Sequence, residues 1–155
     1  MKEQSGSWQT TSIDYRLIFD QIPSPYLVLD PSFTILAQNE AHARVTNTRA
    51  EDTVGRLLFE VFPDNPNDSN ADGLSALRQS LLNVLKTRAM DEMPVLRYAI
   101  RRPVSEGGGY EERYWRVVNM PVLGPDGYVT CIINQADDIT ELTQLRQRLG
   151  ITGSP

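Results

Sequence analysis

The chain has one histidine and one cysteine, so the side chains that most often act as proton shuttles or thiol nucleophiles near neutral pH occur once each. His42 falls in an early predicted helix and Cys131 in the last predicted strand. A lone histidine there reads as packed or solvent-facing, and a strand thiol reads as buried and unreactive. No H-E-x-x-H, C-x-x-C or G-x-S-x-G pattern occurs, and catalysis is not expected. Asp68-x-Asn70-x-Asp72-Gly73 opens like a calcium loop, with alternate oxygens able to face one ion and a glycine for the sharp turn. The last ligand position holds Gln79, which lacks a carboxylate, and Pro63 and Pro66 replace the incoming helix, so a helix-capping, solvated loop without metal is expected. Gly107-Gly108-Gly109 precedes a strand and has no following Lys-Ser or Lys-Thr, which makes it a hairpin loop rather than a phosphate cradle. Arg97, Tyr98, Arg113 and Trp115, on adjacent predicted strands, are the remaining candidates: guanidinium and indole donors suited to an anionic or aromatic molecule. The same residues would equally suit a solvent face or a core position.

Those side chains sit in a chain of 155 residues, 40% apolar and 23% charged, the composition of one globular domain. A formal charge of −5, with the signs interspersed, disfavours nucleic-acid binding. One cysteine allows no internal disulfide, and Met1 to Gln9 lacks the basic and apolar regions of a secretion signal, so a cytoplasmic location is expected. Apolar runs such as Tyr26-Leu27-Val28-Leu29 are far shorter than the roughly 20 residues that cross a bilayer, and direct membrane insertion is not expected. The expected organisation is a flexible N-terminal arm over 1–11, one domain over 12–140 that begins with an amphipathic helix, and the start of a C-terminal helix with its tail over 141–155.

Along the domain, Ile13, Leu17, Ile18 and Ile22 recur at helical spacing between a Thr11/Asp14 capping box and Pro23. Tyr26 to Asp30 and Thr34 to Gln38 form a hairpin about Pro31-Ser32, and Asn39 caps a helix over Glu40 to Thr46. Thr48 and Glu51 repeat the capping box, and Leu57, Leu58, Val61 and Phe62 begin a further turn. After a polar loop, Leu74, Leu77, Leu81, Val84 and Leu85 mark the longest helix, with Ser69 and Asp72 as its cap. Strands are expected over Pro94 to Arg102, Tyr110 to Val122 and Tyr128 to Gln135. Leu142, Leu145 and Leu149 then show coiled-coil spacing for a single heptad, which must pack on the domain, pair with a second chain or continue in a longer one.

The order ββααααβββ is an α+β domain with a five-stranded antiparallel sheet, short helices and one long helix on one face, flanked by N- and C-terminal helices. It resembles a PAS domain. The likeness is carried by Leu29-Asp30, Ile35, Asn39-x-Ala41, Gly55-Arg56 with Phe59 and Phe62, Gly127, and Asp138-Ile139-Thr140-Glu141. Phe62-Pro63-Asp64-Asn65-Pro66, Leu77-Arg78-x-Ser80-Leu81, Arg113-Tyr114-Trp115 and Asn119-x-Pro121-Val122 resemble, more narrowly, the input domains of bacterial sensor histidine kinases. The resemblance implies a ligand cavity between sheet and long helix, with Arg97, Tyr98, Arg113, Trp115 and His42 as candidate lining. Which cofactor or ligand it holds stays open. Haem is disfavoured because the long helix has no histidine, and the flavin–cysteine chemistry of LOV relatives because Cys131 lies in the final strand. Asp138 and Thr140 are implied to relay a signal from the last strand to the outgoing helix, and Ile13, Leu17, Ile18, Leu142 and Leu145 to bury against a second copy. The expected function is a non-enzymatic sensory module in bacterial two-component signalling, a homodimer working on an output domain or partner protein. The alternative is a constitutive dimerisation or docking domain without ligand.

Overall fold

The computed structural model describes residues 12–69 and 71–151. The arm over 1–11, the capping role of Thr11, Asn70 of the acidic loop and the tail over 152–155 lie outside them. The fold is organised around one long antiparallel hairpin, β5 (Tyr110–Leu123) and β6 (Val129–Asp138), paired from Trp115↔Asp138 to Leu123↔Val129. Because side chains alternate across a strand, Trp115, Val117 and Asn119 of β5 and Ile132 and Asn134 of β6 all enter the interior. β1 (Tyr26–Leu29) adds to β6, and β2 (Ile35–Gln38) adds to β1.

The far edge differs from the expected single strand starting at Pro94. Among the described residues the sheet has six strands, because this edge is split into β3 (Asp91–Glu92) and β4 (Leu96–Arg101), which follow one another along β5. Pro94 lies in the break, since it has no N–H to give the ladder. The expected α+β architecture otherwise stands, with order β2-β1-β6-β5-β3 and every pairing antiparallel.

The helices are α1 (Tyr15–Gln21), α2 (Glu40–Thr46), α3 (Ala50–Thr53), α4 (Leu58–Val61), α5 (Gly73–Thr87) and α6 (Thr140–Arg148). Helix α1 starts later than expected because the Asp14 carboxylate itself caps it, accepting from the N–H groups of Arg16 and Leu17, both at 3.1 Å. Two other expected caps are absent: α3 follows Arg49 and α5 follows Asp72, neither with a side-chain cap bond. The Thr48 hydroxyl is instead drawn into contact with Gln38 and Thr46. Helix α5 lays Leu77, Leu81 and Val84 on the sheet, where they join Leu27, Leu29, Ile35, Trp115, Val117 and Ile132 in the core. Each such aliphatic side chain contributes roughly 1.5–3 kcal/mol on burial.

Asn39 is the joint between the sheet and α2. It is fully buried, its Oδ1 accepts from the N–H of His42 at 3.0 Å and of Tyr26 at 2.9 Å, and its Nδ2 donates to the carbonyl of Ser24 at 2.9 Å. One side chain thus caps the helix and closes the start of β1. Asn39→Ala is expected to lower stability by about 2–4 kcal/mol, from the lost cap and an orphaned Tyr26 N–H, read as a shift in the urea midpoint. Asn39→Asp, which keeps the acceptor, should fall between the two.

Candidate functional site

Between α5 and the inner face of the sheet lies a cavity of about 70 Å³. Leu74 and Leu77 of α5, Leu58 of α4, Leu27 of β1, Leu96 and Ile100 of β4, Val117 of β5 and Ala136 of β6 give it hydrocarbon walls, and Phe62 and Trp115 add aromatic ones. Gly73 permits the close fit of α5 at one end. A Cβ there would stand 3.0 Å from Leu96 Cδ1 and 3.3 Å from the Arg97 carbonyl oxygen.

The polar lining is sparse and held by buried networks. His42 is 3% exposed, projects from α2, and meets the Phe62 ring edge-to-face at 5.7 Å. Its Nδ1 lies 2.8 Å from Gln38 Nε2, which also donates to Thr48 Oγ1 at 2.9 Å, while Gln38 Oε1 accepts from the Thr53 hydroxyl at 2.7 Å. Burial alone pushes the imidazole down from its ordinary 6.5 to about 3, because the charged form would lose its hydration with no counter-ion. On the sheet, in the row that pairs Gln38 with Leu27 and Leu27 with Asn134, Asn134 Nδ2 donates to Asn119 Oδ1 at 2.7 Å, Asn119 Nδ2 to Ser80 Oγ at 2.8 Å, and Ser80 Oγ to the Asp91 carboxylate at 2.5 Å.

Of the candidate ligand residues, the structure brings His42, Tyr98 and Trp115 to this cavity. Trp115 gives its indole N–H to the Tyr98 carbonyl at 3.1 Å, and Tyr98 gives its hydroxyl to the Pro63 carbonyl at 2.7 Å, so both donors are already in use. Arg97 and Arg113 do not line it. Arg97 lies in a separate polar cleft, bonded to Asp68 at 2.8 Å and Glu112 at 2.9 Å. Arg113 is held by Glu111 at 3.0 Å and Asp138 at 2.5 Å. Arg113 shares the face of Trp115 but stands two residues beyond it, past the cavity lining, where the carboxylates hold it, whereas Arg97 alternates to the outward side of β4 from the inward Ile100. Cys131, expected to be buried, is half-buried because it shares that outward parity beside Ile132. Gln38, Asn119 and Asn134 lie outside the expected set; parity with Val117 and Ile132 marks Asn119 and Asn134, whereas Gln38 is three residues from Ile35 and turns inward only through the bulge in the β1–β2 pairing.

At the far end of the same hairpin, Asp138 Oδ1 accepts from the Thr140 N–H at 3.0 Å and from its hydroxyl at 2.5 Å, and Oδ2 accepts from Arg113. Thr140 Oγ1 in turn accepts from the Tyr114 N–H at 3.0 Å, which ties the first turn of α6 to β5. Ile139, rather than Asp138, occupies the N-cap position, so the carboxylate binds the helix start from one residue upstream. Burial pushes the Asp138 carboxyl up, but the bonds from the Thr140 side chain and backbone, then Arg113, outweigh it and hold it below the usual range.

A family model described as the PAS fold matches residues 19–144. No curated protein matches the chain. Among solved structures, a PAS domain from Colwellia psychrerythraea superposes with a TM-score of 0.63 at 12% identity, over 82% of this chain and 95% of that one. A sensory box sensor histidine kinase from Vibrio cholerae gives 0.54 at 15% identity, over 88% and 98%. The Vibrio cholera VqmA–ligand–DNA complex gives 0.57 at 20% identity, over 93% of this chain but only 61% of that one. At these identities the likeness is one of fold.

Because the unfolded chain takes up a proton at His42 near pH 6.5 and the folded chain refuses it until about pH 3, acidification through that window is destabilising. Between pH 6.5 and 5 this group alone should remove about 2 kcal/mol, a loss absent from His42→Phe when urea midpoints of both proteins are compared. Proton NMR should show no titration of the His42 ring from pH 8 to 5; a midpoint near 6.5 would contradict the burial.

Proposed function

The chain belongs to the PAS fold family, and we propose that it is a non-enzymatic sensory module whose cavity takes up a small molecule and whose C-terminal helix passes on the change. The observation that carries this reading is the register of β5 and β6. Trp115, a wall of the cavity, stands directly opposite Asp138, which holds the start of α6. Its chain neighbour Tyr114 donates to Thr140. A molecule that displaces Trp115 therefore acts on the hydrogen bonds of the outgoing helix within one residue, with no long path between them.

In this reading Arg113, Asp138 and Thr140 are the relay, and α6, which buries no residue on the domain, is free to turn or bend on a partner. The exposed side chains Ile13, Leu17 and Ile18 near or on α1 and Leu142 and Leu145 on α6 would be covered by a second copy in a symmetric dimer. The likeness to the Vibrio cholerae sensor kinase supports a role as the input part of a two-component system. A cytoplasmic setting is part of this proposal; among the described residues no helix is long and apolar enough to cross a membrane. The same exposed faces favour a second reading, a constitutive dimerisation or docking domain with an empty cavity.

Native and denaturing mass spectra of freshly purified protein separate the two: a dimer with extra mass lost on denaturation supports the sensor, and a dimer without ligand the docking domain. Asp138→Ala should leave the fold intact, at a cost of about 1 kcal/mol for the lost bonds at the helix start, while loosening α6 from β5. Amide exchange should accelerate over residues 140–148 and stay slow at Leu81 and Ile132. In the intact signalling protein the variant should no longer respond to the cue, and a normal response would remove the relay from the proposal.

A further inference from the structure

The networks flanking the cavity can be followed proton by proton, and they end on opposite kinds of group. Thr46 Oγ1 lies 2.7 Å from the His42 carbonyl, which only accepts, so the Thr46 proton points there. Thr48 Oγ1, 2.7 Å from Thr46 Oγ1, must then be the donor of that pair. With its proton used, Thr48 accepts from Gln38, which fixes Nε2 as the Gln38 atom on that side and leaves Oε1 for the Thr53 hydroxyl. The same Nε2 faces His42 Nδ1, so Nδ1 accepts and the neutral imidazole carries its proton on Nε2.

In the second network the Asp91 carboxylate accepts the Ser80 proton, Ser80 Oγ accepts from Asn119 Nδ2, and Asn119 Oδ1 accepts from Asn134 Nδ2. Among the described residues, Asn134 Oδ1 is left as an acceptor with no protein donor. His42 Nε2–H likewise meets no protein acceptor among them. Among the described residues no fully enclosed side-chain nitrogen or oxygen lacks a partner, so both atoms open onto water-sized space, and both residues line the cavity.

We propose that the cavity selects a compact, uncharged, largely apolar molecule that presents one acceptor to His42 and one donor to Asn134, as a small cyclic amide does. This rests on reading the cavity as a ligand site. Apart from Thr46, Tyr98 and Trp115, whose donors are already bonded to backbone carbonyls, hydrocarbon makes up the rest of its wall, and among the described residues no charged side chain lines it, so an ion would lose its hydration without a counter-charge. A volume of about 70 Å³, room for roughly five waters, sets the scale at one small ring.

The test uses the intact isotope-labelled protein with δ-valerolactam (donor and acceptor), cyclohexanone (acceptor only), toluene (neither) and benzoate (anion), followed by NMR at His42 and the Asn134 amide. Each hydrogen bond should tighten binding about tenfold, ranking the lactam above the ketone and the ketone above toluene, with benzoate excluded. Asn134→Leu should remove the lactam's advantage over the ketone without weakening the ketone, and His42→Phe should weaken both while sparing toluene. The His42 tautomer is read directly from its ring nitrogens in the unaltered protein, so the outcome does not depend on a variant folding. A proton on Nδ1, or benzoate entering where the lactam does not, overturns the selectivity and leaves the sensory reading standing. If no probe shifts any cavity resonance, both fall.

Discussion

A buried amide with an unmet hydrogen-bonding group is costly, and the chain Asp91–Ser80–Asn119–Asn134 meets that demand across three strands and a helix. It runs from the edge strand β3, through α5, to the two central strands. Each link has one acceptable register. A slip of β5 against β6 by one residue would turn Asn119 away from Asn134 and expose Trp115, Val117 and Ile132 on the wrong face. Hydrophobic burial drives the sheet and α5 together, but these amides specify which residues meet.

The second network has the same logic on a shorter span. Gln38, at the end of β2, gathers Thr48, Thr53 and His42, and so ties α2 and α3 to the sheet edge. Because both networks satisfy their members from outside inward, the cavity wall between them is almost all hydrocarbon, with polarity confined to the two network ends. The arginines that attract attention in the sequence are kept out of this volume. Each finds two carboxylates, Arg97 on the outer side of the sheet and Arg113 at the end of the hairpin beyond Trp115, in partly exposed positions where ion pairs contribute little to stability and do more for positioning.

In the proposed relay, coupling between cavity and helix would follow from the length of the β5–β6 hairpin. Its inner face carries the cavity wall at Trp115 and Ala136, and its end carries Arg113 and Asp138, which hold α6. A rigid two-stranded ladder transmits displacement along itself more readily than a loop, and the helix it holds has no core contacts that would resist.

Local patterns in the chain suffice for the helix and strand order, for the caps at Asp14 and Asn39, and for the α+β class. Asn39 before Glu40-Ala41-His42 and the apolar spacing of Leu74 to Leu85 act over a turn or two, so local chemistry suffices to specify them. The sequence also pointed to His42, Tyr98 and Trp115 as lining and to Asp138 and Thr140 as the junction, partly through the likeness of their motifs to a known family. Only the folded chain sets the split edge at Pro94, the displaced caps at Thr48 and Asp72, the exclusion of Arg97 and Arg113 from the cavity, the bulge that turns Gln38 inward, and the meeting of Asn119 with Asn134. These depend on which strand lies beside which and on which face of it is covered. Partners 15 and 39 residues apart, as for Asn134–Asn119 and Asn119–Ser80, leave no periodic trace in the chain, because the hydrogen bond that joins them exists only once the sheet has closed.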